Sequence, residues 1–272
     1  MTRLRARLDA CRRAGRAAVV GYLPAGFPDR ETHQALIARA FTAGLDALEI
    51  GLPGPPPPTE GSTIVSALTV GGQAVDGVRD SLALAAAARV REEDVLIALA
   101  YDAVLEAAGI DALLETCRGA EVDAVLVPQQ SMQRQLDIAR IAQGADIDVV
   151  IFLHRRGDIR QLVETDLVDP IIYLQSASQH TGAPFDQDTA VWRLRDLRSE
   201  LGSRPARVLV GFGVASPRDV EVLVRAGADG VVVGTAVVDA AAAGIDELDN
   251  LVVALRSAAA PAASRRQDPE RE

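Results

Sequence analysis

The sequence predicts a single α/β domain, a (β/α)8 TIM barrel with an extra helix at its N-terminus. Short apolar runs alternate with helical patterns along the chain, over about the 250 residues that such a barrel usually needs. Runs such as VLIALA and GVVVG are continuously apolar, which is typical of strands buried on both faces of a parallel sheet. Several helical patterns end in Ala-Gly before a new strand, as a glycine C-cap leading into an αβ loop does. An open, doubly wound sheet is the alternative fold.

The elements follow one another in a regular order. The segment Thr2–Arg16 places Leu4, Leu8 and Cys11 at helical spacing and is expected to form the extra helix. The predicted strands are Ala18–Leu23, Ala47–Gly51, Val95–Tyr101, Ala124–Pro128, Asp148–Leu153, Ile171–Gln175, Val208–Gly211 and Gly230–Val233. Examples of the predicted helices are Arg30–Ala43, Asp188–Leu201 and Pro217–Ala226. We expect residues 1–257 to form the barrel domain, and residues 258–272, rich in Ala, Pro and charged residues, to be a disordered tail.

The composition excludes several classes of function. The chain has 272 residues, is 49% hydrophobic and carries a net charge of −10 without any basic block, so a nucleic-acid-binding face is not expected. No apolar run approaches the ~18 residues of a membrane span, and the N-terminus lacks the long apolar segment of a secretory signal. Two cysteines and no CxxC motif suit a reducing cytoplasm. The three histidines lie far apart in the sequence, so no metal site is predicted.

Lysine is absent, and all 28 basic residues are arginine. A Schiff base to a carbonyl substrate or to pyridoxal phosphate needs a lysine amine. Those chemistries are therefore excluded, and no cofactor is expected.

Two acids are candidates for catalysis. In a barrel the active site lies at the C-terminal ends of the strands, and Glu49 lies in the apolar strand segment Leu48-Glu49-Ile50. Burial there would raise its pKa towards neutrality and suit a general acid or base; a purely structural carboxylate is the alternative. Glu60 follows on the loop PGPPPPTEGS. It can fold back towards the same cavity or remain a solvated loop residue.

The loops after strands 7 and 8 are candidates for a phosphate site. They read Gly211-Phe212-Gly213 and Gly234-Thr235, and each precedes a helix start. Glycines let backbone N–H groups approach an anion, helix N-termini favour negative charge, and these two loops commonly bind phosphate in this fold. The alternative is that the glycines only make tight turns. The full G-x-G-x-x-G pattern of a dinucleotide site is missing.

Aromatic residues make up only 3% of the chain, yet four of them fall at predicted strand ends: Tyr22, Tyr101, Tyr173 and Phe212. This placement suggests an apolar pocket for a flat substrate, with ordinary core packing as the alternative. Three polar residues after strands 3, 4 and 5 are expected at the rim of such a pocket, namely Asp102, Gln129 and His154.

Six segments stand out in order along the chain. They are GYLPAGFPD at Gly21–Asp29, ALEIGLP at Ala47–Pro53, EGSTI at Glu60–Ile64, HTG at His180–Gly182, GFGV at Gly211–Val214 and GVVVGTAVV at Gly230–Val238. In this order and spacing they resemble the tryptophan synthase alpha subunit family of indole-3-glycerol-phosphate lyases. The resemblance covers nearly the whole chain.

The resemblance implies a reaction and a set of site residues. The family cleaves indole-3-glycerol phosphate to indole and glyceraldehyde 3-phosphate without metal or Schiff base, and it works with a beta-type subunit. Glu49 matches the catalytic glutamate, and Glu60 falls where the family has its second acid, an aspartate that acts at the indole N–H. The implied substrate-binding residues are Tyr22, Tyr101, Tyr173, Thr181 and Phe212. The implied phosphate-binding residues are Gly182, Gly213, Gly234 and Thr235.

The sequence departs from the family pattern in the loops. The family's PFSDPLADGP after the glutamate reads PGPPPPTEGS here, Tyr-Asn-Pro reads Tyr101-Asp102-Ala103, and Pro-Asp reads Pro128-Gln129. The loop after strand 6 lacks one of the family's glycines. The changed loops after strands 2 and 6 include those that close the site and contact the beta subunit in the family. Three alternatives therefore stay open: a stand-alone lyase, a catalytically weak homologue that regulates a beta-type partner, and a phosphate-binding barrel isomerase with another substrate.

Overall fold

Eight parallel strands close into a barrel in their sequence order, β1 to β8. The protein is represented by a computed structural model that describes residues 1–176 and 184–260. The strands are β1 Ala18–Pro24, β2 Ala47–Gly51, β3 Val95–Leu99, β4 Ala124–Leu126, β5 Asp148–Leu153, β6 Ile171–Gln175, β7 Arg207–Gly211 and β8 Gly230–Val233. β1 pairs with both β2 and β8, which closes the ring. The predicted barrel is confirmed.

Two strands end earlier than predicted, for local reasons. Ala100 still donates its N–H to the Leu126 carbonyl, but Tyr101 is already the N-cap of the following helix, so β3 ends at Leu99. β4 ends at Leu126, and the next residues form a turn in which Gln130 N–H donates to the Val127 carbonyl. Pro128 lies in that turn and has no N–H to continue the ladder.

The helices surround the barrel. They are α1 Arg3–Arg13, α2 Arg30–Ala43, α3 Ser62–Gly72, α4 Gly77–Ala86, α5 Asp102–Ala108, α6 Ile110–Gly119, α7 Met132–Gln143, α8 Arg156–Val163, α9 Gln187–Leu201, α10 Pro217–Arg225, α11 Thr235–Ala243 and α12 Ile245–Ala258. α2 has its predicted bounds and ends at Gly44, which has φ 109°. α9 begins one residue earlier than predicted because Asp186 caps it by accepting from Thr189 N–H. Across the two described ranges, no helix is both long and apolar enough to cross a membrane.

Helix α1 is the predicted extra helix. Its buried face consists of Leu4, Leu8 and Cys11, the three residues whose spacing predicted it. The helix contacts β1 and β3. Arg5 of this helix also donates to the carboxylate of Asp148 at 2.7 Å.

Three aspartates, two of them buried and Asp229 half-buried, tie neighbouring strands together at their N-terminal ends. Asp46, just before β2, accepts from Val19 N–H of β1 at 2.9 Å. Asp123 accepts from Leu96 N–H at 2.9 Å in the same way, and Asp229 accepts from Val208 N–H at 2.7 Å. Each carboxylate also forms an ion pair with arginine: Asp46 with Arg16, Asp123 with Arg3 and Arg89, and Asp229 with Arg198. The end of the barrel opposite to the expected site is thus held by hydrogen-bonded ion pairs.

The tail predicted from the sequence starts at residue 258, which still belongs to the folded domain. Ala258 is still part of α12, and Ala259 is fully buried, with its carbonyl accepting from Ala17 N–H at 3.1 Å. Alanine is a strong helix former and small enough to pack here, so an alanine-rich composition did not mark the end of the domain. Residues 261–272 of the predicted tail lie outside the described residues.

The ion pair between Asp46 and Arg16 should matter for stability. Asp46→Ala removes the carboxylate that accepts from the guanidinium of Arg16 and from Val19 N–H, and breaking a buried pair in this way costs about 3 kcal/mol or more. We expect urea denaturation to show a loss of this size in the free energy of unfolding. Asp249→Ala, which removes a more exposed pair with Arg39, is the control and should cost less than about 1 kcal/mol. Equal losses for the two variants would contradict this account.

Candidate active site

The C-terminal ends of the strands surround a cavity of about 1130 Å³. Nine of the site residues expected from the sequence line it: Tyr22, Glu49, Glu60, Tyr101, Tyr173, Phe212, Gly213, Gly234 and Thr235. The other two, Thr181 and Gly182, lie outside the described residues. The cavity thus brings together candidates from six different strands or their following loops.

Glu49 lies in the middle of β2, between Tyr22 of β1 and Ile97 of β3. Its side chain is buried, and its Oε1 atom has no hydrogen-bond partner within the described residues. Burial raises its pKa to about 8, with a smaller contribution from the nearby charge of Glu60. At neutral pH this carboxyl group therefore holds a proton, as a general acid must.

Glu60 reaches the same cavity from the proline-rich loop. Its N–H donates to the Pro57 carbonyl at 3.0 Å, which closes a turn with Pro58 at the second position, where proline is favoured. The side chain then meets the segment between β3 and α5, because the hydroxyl of Tyr101 donates to Glu60 Oε1 at 3.0 Å. The loop acid is therefore turned inward, and its charge contributes to the raised pKa of Glu49.

An aromatic wall stands beside the two acids. The ring centroids of Tyr173 and Phe212 lie 6.1 Å apart, and Phe152 lies 5.3 Å from Tyr173 and 5.7 Å from Phe212. Phe152 was missed by the sequence analysis, which considered only His154 at the end of β5. No local sequence pattern marks Phe152, because its place beside Tyr173 follows from the register of β5 and β6. Three rings at these distances form an apolar surface suited to a flat ligand.

Two strand-terminal glycines leave room for tyrosine hydroxyls. A Cβ atom on Gly51 would lie 2.3 Å from the hydroxyl oxygen of Tyr22, and one on Gly211 would lie 2.1 Å from that of Tyr173. Burial raises the pKa of both phenols, so both remain neutral hydroxyl groups at physiological pH. Any larger residue at either glycine would push a tyrosine out of its place.

The loop after β7 has an unusual backbone. Phe212 and Gly213 both have positive φ, 72° and 76°, a conformation that costs energy for a residue such as phenylalanine. Ser176 holds this turn: its N–H donates to the Gly211 carbonyl at 2.9 Å, and its hydroxyl donates to the Phe212 carbonyl at 2.5 Å. Successive backbone N–H groups in a turn can form a concave site that suits an anion.

The loop after β8 adds a helix N-terminus to the same part of the cavity. Helix α11 begins at Thr235, with Gly234 as its N-cap, and no side chain of the described residues caps it. The first amide groups of a helix lack intrahelical partners, and the helix dipole favours negative charge there. Gly213, Gly234 and Thr235 therefore form an arrangement that can hold a phosphate group.

A polar rim borders the cavity on the side of β3, β4 and β5. The three rim residues expected from the sequence take part: Gln129 and His154 line the cavity, and Asp102 bonds to both Gln129 and Gln130. Arg193 of α9 was not anticipated. It donates to the carbonyls of Ser176 and His154 at 3.1 and 2.8 Å. Its position depends on how α9 packs, which no local sequence pattern indicates.

Comparisons with known proteins identify the family of this chain. A family model described as tryptophan synthase alpha chain matches residues 8–265. The tryptophan synthase alpha chain of Methanothermobacter thermautotrophicus is 33% identical over 232 residues, which covers 84% of each chain. That of Halorhodospira halophila is 31% identical and covers 95% of this chain and 96% of its own.

A solved structure gives the same result. The structure of tryptophan synthase from Mycobacterium tuberculosis matches with a TM-score of 0.83 and 25% identity, covering 96% of this chain and 99% of that chain. The resemblance drawn from six short segments thus extends over the whole barrel. The chain belongs to the tryptophan synthase alpha chain family.

Proposed function

We propose that this chain cleaves indole-3-glycerol phosphate to indole and glyceraldehyde 3-phosphate, with Glu49 as the catalytic acid and base. The observation that supports this most is the buried carboxyl of Glu49, whose pKa of about 8 keeps it protonated at neutral pH. The second acid, Glu60, faces the same cavity. Two carboxyl groups in different environments are the usual means by which one site supplies both an acid and a base.

The proposed reaction balances its protons within the site. Glu49 gives its proton to C3 of the indole ring, and the positive charge that develops at the ring nitrogen is stabilised by the carboxylate of Glu60. The Glu49 carboxylate then removes the proton from the side-chain hydroxyl. The C–C bond breaks, its electrons return to the ring, and indole and the aldehyde leave. The net result moves one proton from oxygen to carbon and restores Glu49, so no cofactor is required.

The rest of the cavity is assigned to binding. The rings of Tyr22, Tyr101, Tyr173 and Phe212, together with Phe152, are proposed to enclose the indole. The phosphate is proposed to lie at Gly213, Gly234 and Thr235, where the backbone favours an anion. Thr181 and Gly182 are proposed to complete the substrate and phosphate contacts from the loop after β6.

The family pairs with a beta subunit, and a beta-type chain is the proposed partner here, in the cytoplasm. It would dock at the mouth of the barrel, beside the loop after β2. A second candidate, a lyase that works without a partner, is favoured by one specific observation. Glu60 is already turned into the cavity by its turn and by the bond from Tyr101, so the second acid needs no partner to place it.

The raised pKa of Glu49 makes stability depend on pH. The carboxyl has a pKa of about 8 in the folded chain and an ordinary value of 4.5. Between these values the unfolded chain loses the proton more readily, so rising pH should cost the folded protein roughly 1.4 kcal/mol per pH unit. Urea denaturation should show this loss relative to Glu49→Gln, which cannot titrate there. A constant difference between the two proteins across that range would disprove the assignment.

Turnover should depend on the same carboxyl group. We expect Glu49→Gln to lower the rate of indole release from indole-3-glycerol phosphate by about 100-fold or more, the usual contribution of a general acid or base. Calorimetry should show substrate binding nearly intact, because the amide fits the same space. Glu115→Gln, an exposed glutamate on α6, is the control and should keep the normal rate. If wild type releases no indole, or Glu49→Gln retains its rate, the proposal fails.

The effect of a beta chain on the rate of indole release distinguishes a partner-dependent lyase from one that works alone. If Glu60 is placed by the chain itself, adding a tryptophan synthase beta chain should change the rate of indole release by less than ~5-fold, the low end of allosteric coupling. The Methanothermobacter alpha chain serves as a comparison under the same conditions. Strong activation would favour the partner-dependent reading. Complexes that form without indole release in any mixture would favour the catalytically weak, regulatory homologue.

A further inference from the structure

The first turn of α5 is anchored to the loop after β4 by two side-chain hydrogen bonds. Asp102 N–H donates to Oε1 of Gln129 at 3.0 Å, and Nε2 of Gln130 donates to Oδ1 of Asp102 at 2.6 Å. The N-cap residue of α5 is Tyr101, whose side chain does not cap the helix. Gln129 therefore satisfies an amide group that the helix start leaves unpaired, and it does so from a neighbouring loop.

This anchor is next to Tyr101, the residue that directly precedes Asp102. Tyr101 is buried, and its hydroxyl donates to Glu60 Oε1 at 3.0 Å. Three loops are thus linked in one series of hydrogen bonds: Glu60 after β2, Tyr101 and Asp102 after β3, and Gln129 and Gln130 after β4. Helix α5 is only seven residues long. Because so short a helix has little stability of its own, its direction should depend on contacts at its ends.

We propose that Gln129 and Gln130 are positioning residues for Glu60, acting through Asp102 and Tyr101. This inference rests on the proposed function, in which Glu60 faces the indole nitrogen. Glutamine suits the task because its side chain carries both an acceptor and a donor: Gln129 uses the carbonyl oxygen, and Gln130 uses the amide. An acid at position 130 would instead place two carboxylates against each other.

The first test compares steady-state rates of full-length variants. A 1 Å misplacement of a reacting group can cost ~100-fold in rate, so a partial release of Glu60 in Gln130→Ala should lower kcat by roughly tenfold. KM should change little, because the phosphate end is untouched. Asp102→Ala should behave in the same way, and Asp102→Asn, which keeps the acceptor oxygen, should retain most of the activity. Asp137→Ala, which removes the similar Gln133–Asp137 bond of 3.0 Å on α7, is the control and should leave kcat unchanged.

A double-mutant cycle shows whether the effect passes through Tyr101. Tyr101→Phe removes the hydroxyl that holds Glu60, so Gln130→Ala should lower kcat no further in that background. A merely structural role for Gln130 would give the same loss in both backgrounds and would overturn the proposal. So would an unchanged kcat in Gln130→Ala alone.

Hydrogen exchange provides a measurement that does not need activity. Backbone amides of residues 59–64 should exchange faster in Gln130→Ala than in wild type or in Asp137→Ala, because the loop loses its indirect anchor. Unchanged exchange would overturn the positioning role. If wild type releases no indole, the proposed function fails, while the exchange data still decide whether these glutamines order the Glu60 loop.

Discussion

The carboxyl group of Glu49, buried in the wall of a closed barrel, is the constraint on which the site depends. Glu49 lies in a strand with paired neighbours on both sides and is only 2% exposed. This burial disfavours ionisation, so the carboxyl group keeps its proton at neutral pH. The surrounding residues support this state. Gly51 leaves space for the hydroxyl of Tyr22 beside β2, and the nearby charge of Glu60 further disfavours ionisation of Glu49.

The acidic side chains at the two ends of the barrel differ in their hydrogen bonding. At the N-terminal end, Asp46, Asp123 and Asp229 each accept a backbone N–H and an arginine, so their charges are satisfied and stabilise the fold. At the other end, Glu49 Oε1 is buried without a hydrogen-bond partner among the described residues. An unsatisfied buried polar atom costs stability. That cost is concentrated where a substrate would bind, which is how strain and function coincide in many active sites.

The sequence predicted the barrel because its strongest signals are local. A continuous apolar run marks a two-sided strand wherever it occurs, and β2, β5, β6 and β8 have their predicted bounds. Glu49 could be found because an acid inside such a run is conspicuous. Three other residues could not be found in this way, because each depends on a neighbour that the fold supplies. Phe152 lies beside Tyr173 across a strand pair, Arg193 donates to Ser176, and Gln130 donates to Asp102. Local patterns reveal single residues, whereas contacts between loops need the structure.

The proline-rich loop shows how one departure can compensate another. Glutamate is one methylene longer than the aspartate of the family pattern, which by itself would move the carboxylate away from its place. Here the turn from Pro57 to Glu60 sets where the longer side chain begins, and Tyr101 sets where it ends. Prolines restrict φ and so limit the conformations that the loop has to lose when it orders. The stiff loop and the bond from Tyr101 together fix where the longer acid reaches the cavity.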